Sequence, residues 1–336
     1  MNCVAVDIGT YSIKIVHVKT KNKKLEVARV VEVPNTVGMS IPNDEVSVEK
    51  MAQLIQAVFT DNSLPKEDVR LALPETVVST KVIQVPLLTD AELASAIGWQ
   101  AEQFIPIPKD ELSLEYQVLF RPEKNDRETP MRVLLIGVKK SIVESLMNVF
   151  SFSGMGPTFI ETQTISLWRS IHTAENDPVS LVAHIGLSTL DISIERGGEL
   201  AFTFSHPQGG MLLTRAIENL LTLPIQQAEE YKRTYGLDQQ YFQGKVQLAL
   251  LPVVKSMVEQ IQKAVQYYST QFPQESVQRV YLSGGTAQLP GFVSYAASLL
   301  GVEVQLVSPF ANSIGNIPQA NQTAYSVCMG LVERLE

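Results

Sequence analysis

Cysteine is nearly missing: Cys3 and Cys328 are the only two in 336 residues. Both stand in apolar strand or helix contexts and read as small core residues, so neither a disulfide framework nor a cysteine-based zinc site is expected. Long apolar runs are missing too. No stretch approaches the ~20 residues of a membrane-spanning helix, and the chain opens directly on strand-type residues without room for a signal peptide. A cytosolic protein is expected. The third absence is an excess of basic charge. With 27 Lys and Arg against 35 Asp and Glu the net charge is −8, which argues against nucleic acid as a main partner, because neutralising phosphates takes a basic face. The local basic run Lys19 to Lys24 lies between two strand-like segments and reads as a solvated hairpin turn rather than an anionic-lipid contact. The remainder, 45% hydrophobic and 18% charged, is an ordinary globular composition, long enough for one large or two moderate domains.

What the chain does have is a repeat. Val4-Ala5-Val6-Asp7-Ile8-Gly9-Thr10-Tyr11-Ser12-Ile13-Lys14-Ile15-Val16 is an apolar run that ends in Asp-x-Gly, turns through small polar residues and resumes as an alternating strand. Gly9 frees the backbone so that N–H groups can point at an anion, and the hydroxyls of Thr10 and Ser12 can add to the cradle. Asp7 at the strand end could hold a hydrated Mg²⁺, which takes one or two carboxylates plus phosphates. Alone, the stretch reads more simply as a hairpin with a glycine turn. A second copy turns the reading. Leu181 to Ile194 repeats the design, with Ile185 matching Ile8, Gly186 matching Gly9, Thr189 matching Ser12 and Ile192 matching Ile15. A repeat this far apart implies two similar domains, each offering one phosphate-gripping hairpin. A third element, Arg279 to Ala287, ends an apolar strand in Gly284-Gly285-Thr286, where the backbone can approach a flat ring or a phosphate.

Taken in order, residues 1–33 read as three strands, followed by a Pro/Asn/Gly loop, a helix with Val48, Met51, Leu54, Ile55 and Val58 on one face, and a strand from Val69 to Leu73, an α/β pattern. Residues 77–155 read as a βαββα insert. It comprises a strand to Val85, a helix capped by Thr89 and Glu92 and halted at Ile105-Pro106-Ile107-Pro108, strands Leu114 to Phe120 and Met131 to Val138 joined by the polar turn Arg121 to Pro130, and a second helix from near Ser141. The stripe Leu93, Ile97, Ala101 and Phe104 reads as the insert's own core. Ala174 to Pro178 is the clearest linker. Beyond the second hairpin, Gly209-Gly210 opens a helix running to Leu221, Pro224 to Phe272 is mainly helical, and a helix from Ala324 to Leu335 closes the chain. Glu229 and Lys232 share a helix face. They read either as a surface ion pair of small worth or as a ribose clamp.

The two hairpins and Ser283-Gly284-Gly285-Thr286 together resemble the nucleotide site of the actin, sugar kinase and heat-shock chaperone superfamily. Within it, Trp99 to Pro108 followed by Leu114 to Leu119, Val85-Pro86, Ala228 to Leu237 and Gly209-Gly210 resemble the PilM family of type IV pilus assembly proteins, over essentially the whole chain. The Trp-to-Pro motif is the most specific part, since actins and kinases lack it. The resemblance implies an α/β, actin-like (ribonuclease H-like) two-domain fold with a βαββα insert subdomain arranged as in FtsA. The first subdomain would comprise 1–76 and 156–175 with the C-terminal helix 318–336, the insert 77–155, the second subdomain 178–223 and 277–317, and a small helical subdomain 224–276. It also implies ATP or ADP with Mg²⁺, held by Asp7, Gly9, Thr10, Tyr11, Ser12 and Lys14 in the first loop and by Gly186, Ser188 and Thr189 in the second. Gly284, Gly285 and Thr286 would lie on the adenine side, and Glu229 and Lys232 would be the ribose clamp.

The implied partners are the cytoplasmic N-terminal peptide of PilN, bound between first subdomain and insert, the PilN–PilO complex and the pilus motor ATPases, at the cytoplasmic face of the inner membrane with no part inserted into it. Two positions depart from the pattern. His184 stands where relatives usually carry an Asp, and an imidazole is no substitute for a hard oxygen ligand of Mg²⁺; nucleotide binding with slow or absent hydrolysis is expected. Tyr11 stands where a small residue is usual, and its ring either crowds the phosphates or points outward. Two other readings are a self-associating, filament-forming protein like FtsA, which would want a basic amphipathic helix after the fold, and a small-molecule kinase, which would want an elaborated substrate domain and a carboxylate base.

Overall fold

Alternating apolar residues fold the opening of the chain into a meander of β1 (Asn2–Ile8), β2 (Ser12–Lys21) and β3 (Lys24–Pro34). The computed structural model describes residues 2–21, 24–123, 125–126, 128–172 and 176–334. Parts of the lysine-rich turn, of the polar turn 121–130 and of the linker 174–178 lie outside the described residues, as does Leu335. After β3 come α1 (Glu45–Asp61) and β4 (Val69–Leu73), which pairs parallel to β1. The insert follows: β5 (Val78–Val85), α2 (Asp90–Phe104), β6 (Leu112–Phe120) and β7 (Met131–Lys139). Then α3 (Lys140–Phe152), β8 (Pro157–Thr162) and α4 (Gln163–Arg169) return to the first sheet.

The second half repeats the plan with β9 (Ser180–Ile185), β10 (Leu190–Arg196), β11 (Glu199–His206), α5 (Gly210–Leu221), α6 (Ile225–Tyr235), α7 (Lys245–Gln271), β12 (Arg279–Ser283), α8 (Phe292–Leu300) and β13 (Glu303–Leu306). β14 (Ser313–Gly315) and α9 (Ser326–Glu333) end the chain. The first sheet runs β14-β3-β2-β1-β4-β8 and the second β11-β10-β9-β12-β13, so β3-β2-β1-β4-β8 and β11-β10-β9-β12-β13 are equivalent orders. That is the duplication the two hairpins foretold, written in topology. Both faces of β1 are buried, Val4 and Val6 against α1 and α3, Cys3 and Ala5 against α4 and α9. A doubly covered strand accounts for the unbroken apolar run. Cys3 and Cys328 are both free and buried.

Three expectations differ from what is found. The insert's sheet, β5-β7-β6, forms its own core against α2, through Leu93, Ile97 and Ala101. Helix α3 instead sends Leu146, Val149 and Phe150 into the core that α1 shares with the first sheet. Phe104 is 45% exposed, its ring 5.9 Å from the Lys81 ammonium. Phe104 is the last residue of the helix, and Ile105 after it takes the buried place because Gly137 across from it has no side chain to resist. The third difference is β14, expected in the second half, which pairs parallel with β3 at the edge of the first sheet.

Candidate functional site

The two hairpin turns face each other. Thr10 Oγ1 and Ser188 Oγ lie 3.3 Å apart although 178 residues separate them. Each turn is closed by its own glycine, Gly9 N–H donating to Ser12 O at 3.0 Å and Gly186 N–H to Thr189 O at 2.9 Å. Those two amides are therefore committed to the turns and not to an anion. The hydroxyls divide likewise: Ser12 donates to Glu32 at 2.7 Å and Thr189 to Asp191 at 3.0 Å, while Thr10 and Ser188 meet across the gap. Between the turns lies a cavity of about 220 Å³ lined by Asp7, Thr10, Lys14, Gln163, His184 and Asp191 among others.

The strand register puts Asp7 opposite Lys14 in the first hairpin and His184 opposite Asp191 in the second. Acid leads to base in one copy and imidazole leads to acid in the other. Asp7 accepts from Gln163 Nε2 at 2.7 Å. His184 Nδ1 lies 3.1 Å from Ser283 Oγ, and burial pushes its pKa down, so the ring is neutral near pH 7. Burial pushes Asp191 up. Glu75, fully buried at the same cavity, is pushed up to about 7 by burial, with the nearby Asp191 adding to the effect. It accepts from Thr164 at 2.8 Å and from Thr203 at 3.2 Å, joining the two halves. Among the described residues no cluster of three or more His, Cys, Asp or Glu offers a metal cage. Two carboxylates lining the one cavity from opposite hairpins, Asp7 and Asp191, suit a hydrated Mg²⁺ that draws its other ligands from phosphate and water.

A second cavity of about 260 Å³ adjoins the first and shares Tyr11, Ser12, Lys14 and Gly186 with it. Its far wall carries Glu229, Lys232, Arg233, Gly285 and Thr286. Lys232 is buried, which lowers its pKa, yet its ammonium donates to Glu229 at 2.6 Å, Thr214 Oγ1 at 2.9 Å and Gly210 O at 3.2 Å, and three acceptors hold it charged. Thr286 donates to Gly186 O at 3.2 Å and so pins the second turn. Gly284 does not line either cavity; at φ +86° it packs on Ile185, where a Cβ would collide with the Ile185 carbonyl. Tyr11 stands at the cleft mouth, where it lines both cavities. Its ring is 48% exposed, with the Arg233 guanidinium 5.8 Å from its centroid across the cleft mouth.

Motif reading thus brings all its loop and clamp residues except Gly284 to two joined cavities. It passed over Asp191, Glu75, Gln163, Glu32 and Arg233. For Asp191 a signal existed, because it stands at the counterpart of Lys14 when the hairpins are aligned.

A larger cavity, about 670 Å³, lies apart from these, between the first sheet and the insert. Its walls are edge strands, β8 of the first sheet and β6 of the insert. Arg169 and Arg334 both pair with Glu161 there, at 2.5 and 3.3 Å.

The fold is actin-like. The structure of a PilM–PilN type IV pilus biogenesis complex matches 98% of this chain and 97% of that one, with a TM-score of 0.85 and 23% identity. MreB5 of Spiroplasma citri bound to ADP matches 97% of this chain and 94% of its own, with a TM-score of 0.58 and 12% identity. The cell division protein FtsA of Streptococcus pneumoniae serotype 2 (strain D39) is 22% identical over 350 residues, spanning 92% of this chain and 76% of FtsA. The family model for the type IV pilus assembly protein PilM matches residues 5–334, and the chain belongs to that family.

Proposed function

We propose that this chain is a nucleotide-holding scaffold of the type IV pilus assembly platform. It takes ATP or ADP with Mg²⁺ between its halves and the N-terminal peptide of a PilN-like membrane protein in the groove between β8 and β6. It thereby links the PilN–PilO pair to the pilus motor ATPases at the cytoplasmic face of the inner membrane. The observation that carries the peptide reading is the groove itself, about 670 Å³ bounded by two sheet edges. An edge strand presents unpaired backbone donors and acceptors, which an extended peptide satisfies by adding as a strand.

On the nucleotide side, Lys14 supplies a charge for the phosphates, and Thr10 and Ser188 supply hydroxyls from opposite halves. Glu229 and Lys232 stand where sugar hydroxyls would be met. A bound Mg²⁺ would neutralise phosphate charge, with Asp7 and Asp191 as its nearest carboxylates. Neutral His184 offers no oxygen ligand, and turnover is expected to be slow or absent.

The test is a fluorescence anisotropy titration of the PilN-type N-terminal peptide with the full chain and with Glu115→Arg, a change on the groove face of β6. Saturable binding weakened tenfold or more by the substitution is expected. No binding to the unaltered protein at tens of micromolar would overturn the reading.

A further inference from the structure

The groove does not end where the first half ends. A further cavity of about 310 Å³ shares Gln117, Ile165 and Arg169 with it. Both walls run on without a break. Along β6, Ser113, Glu115, Tyr116 and Gln117 line the first cavity, and Gln117 and Leu119 the next. Leu119 is the extra residue of a bulge against β7, between the Val118–Val133 and Phe120–Arg132 pairs, and a bulge re-aims the strand it interrupts. The opposite wall is α4 and the turn after it. Ile165 and Arg169 serve both cavities, while Trp168 and His172, at helical spacing from them, face the second.

The floor, by contrast, changes owner. In the first cavity it is β8, whereas in the second it is the β10–β11 hairpin, with Glu195, Gly198, Glu199 and Leu200. That hairpin belongs to the sheet whose other end carries the second nucleotide turn. It is also tied to the first half and the insert, by Trp168 Nε1 donating to Ser193 at 2.8 Å and by the Arg132–Glu199 ion pair at 2.9 Å.

Resting on the peptide reading above, we infer that the bound tail continues past Arg169 into this second cavity, seats an apolar side chain beside Leu119 and Trp168, and so touches both halves of the molecule. Ser113 to Leu119 spans about 20 Å of strand at roughly 3.3 Å per residue, room for an extended segment of about seven residues. A tail that touches both halves senses their relative position, and linkage then makes peptide and nucleotide affinities depend on each other. A tail confined to the first cavity contacts one half only and stays indifferent to nucleotide.

The experiment uses the full chain and three synthetic peptides from the N-terminus of the PilN-type protein: a short one, and versions lengthened by about six residues at either end. Calorimetric titrations are run on the unaltered protein and on Leu119→Trp, with and without Mg-ATP. One lengthened peptide is expected to bind the unaltered protein at least tenfold tighter than the short one. Leu119→Trp, a side chain outside every core cluster, should erase that advantage while leaving the short peptide's affinity and the melting temperature unchanged. Mg-ATP should shift the affinity of the tighter peptide several-fold and that of the short one not at all. Equal affinities of all three peptides, or an advantage that survives Leu119→Trp, overturn the inference and leave the groove reading standing. Failure of every peptide to bind overturns the groove reading itself.

Discussion

Lys14 and Asp191 hold the same place in two copies of one hairpin and carry opposite charges. Lys14 curls over the first turn, its ammonium 3.7 Å from where a Gly9 side chain would begin, and it lines both joined cavities. A charge-assisted bond of this kind is worth about 1.5–3 kcal/mol, so Lys14→Ala should weaken ATP binding roughly ten- to a hundredfold while leaving the apo melting temperature close to that of the parent. Calorimetry with Mg-ATP beside a melt without it separates the two effects. Glu75 makes a different prediction. Its folded pKa is raised from 4.5 to about 7, so between those values the folded state holds a proton that the unfolded state has released. The contribution of Glu75 to stability is then fully present below about pH 4.5 and is lost as pH rises through about 7. Glu75→Gln, which mimics the protonated acid, should raise the apo melting temperature at pH 8 and change it little at pH 5. An equal effect at both values would mean that Glu75 ionises freely. The turn residues were legible because each copy vouches for the other. Glu75 and Gln163 were not, since they reach the cavity from the ends of β4 and β8, and no local pattern says where a strand end will point.

Elements were legible where their signals are local. The box at the start of α2 forms as its sequence dictates, Thr89 N–H donating to Glu92 at 2.8 Å and Glu92 N–H to the Thr89 hydroxyl at 3.3 Å. Thr89→Ala is expected to cost about 1 kcal/mol, read as a small fall in denaturation midpoint. What a helix packs against is not local. The apolar stripe of α3 announces a buried face, yet the stripe is the same whether it meets the insert or the first sheet. Leu146 is buried in the core that α1 shares with the first sheet, which Val138 of β7 also joins. Leu146→Ala should therefore cost about 2–5 kcal/mol, whereas an exposed position on the same helix, such as Met147→Ala, should cost little. If the two substitutions fall equally, α3 is not the covering helix of that core.

At the scale of the molecule, the two halves share the apolar core of Cys3, Ala5 and Val182 and are tied by Trp168 on Ser193 and Thr203 on Glu75, while at the cleft mouth they meet through the Thr10–Ser188 contact and the Tyr11–Arg233 stacking. Contacts of these two kinds contribute about 1 kcal/mol each, too little to fix the mouth when a charged ligand offers more. On the proposed function, a nucleotide gripped from both sides would complete a closed form, and its binding and the closure would be one event. Lys14 and Arg233 test this, one on each half and both on the cavity that Glu229 walls. If closure is a single step, losing either cation forfeits much of the grip from the opposite half as well. Lys14→Ala and Arg233→Ala should each weaken Mg-ATP binding, and the double variant should lose less than the sum of the two, with a coupling above about 0.5 kcal/mol. The same set followed by thermal shift should rank identically, because a ligand bound only to the folded state raises the melting temperature in step with its affinity. Additive losses would mean that the halves hold the nucleotide independently, and the cleft would then have no lever with which to move a partner bound in the groove.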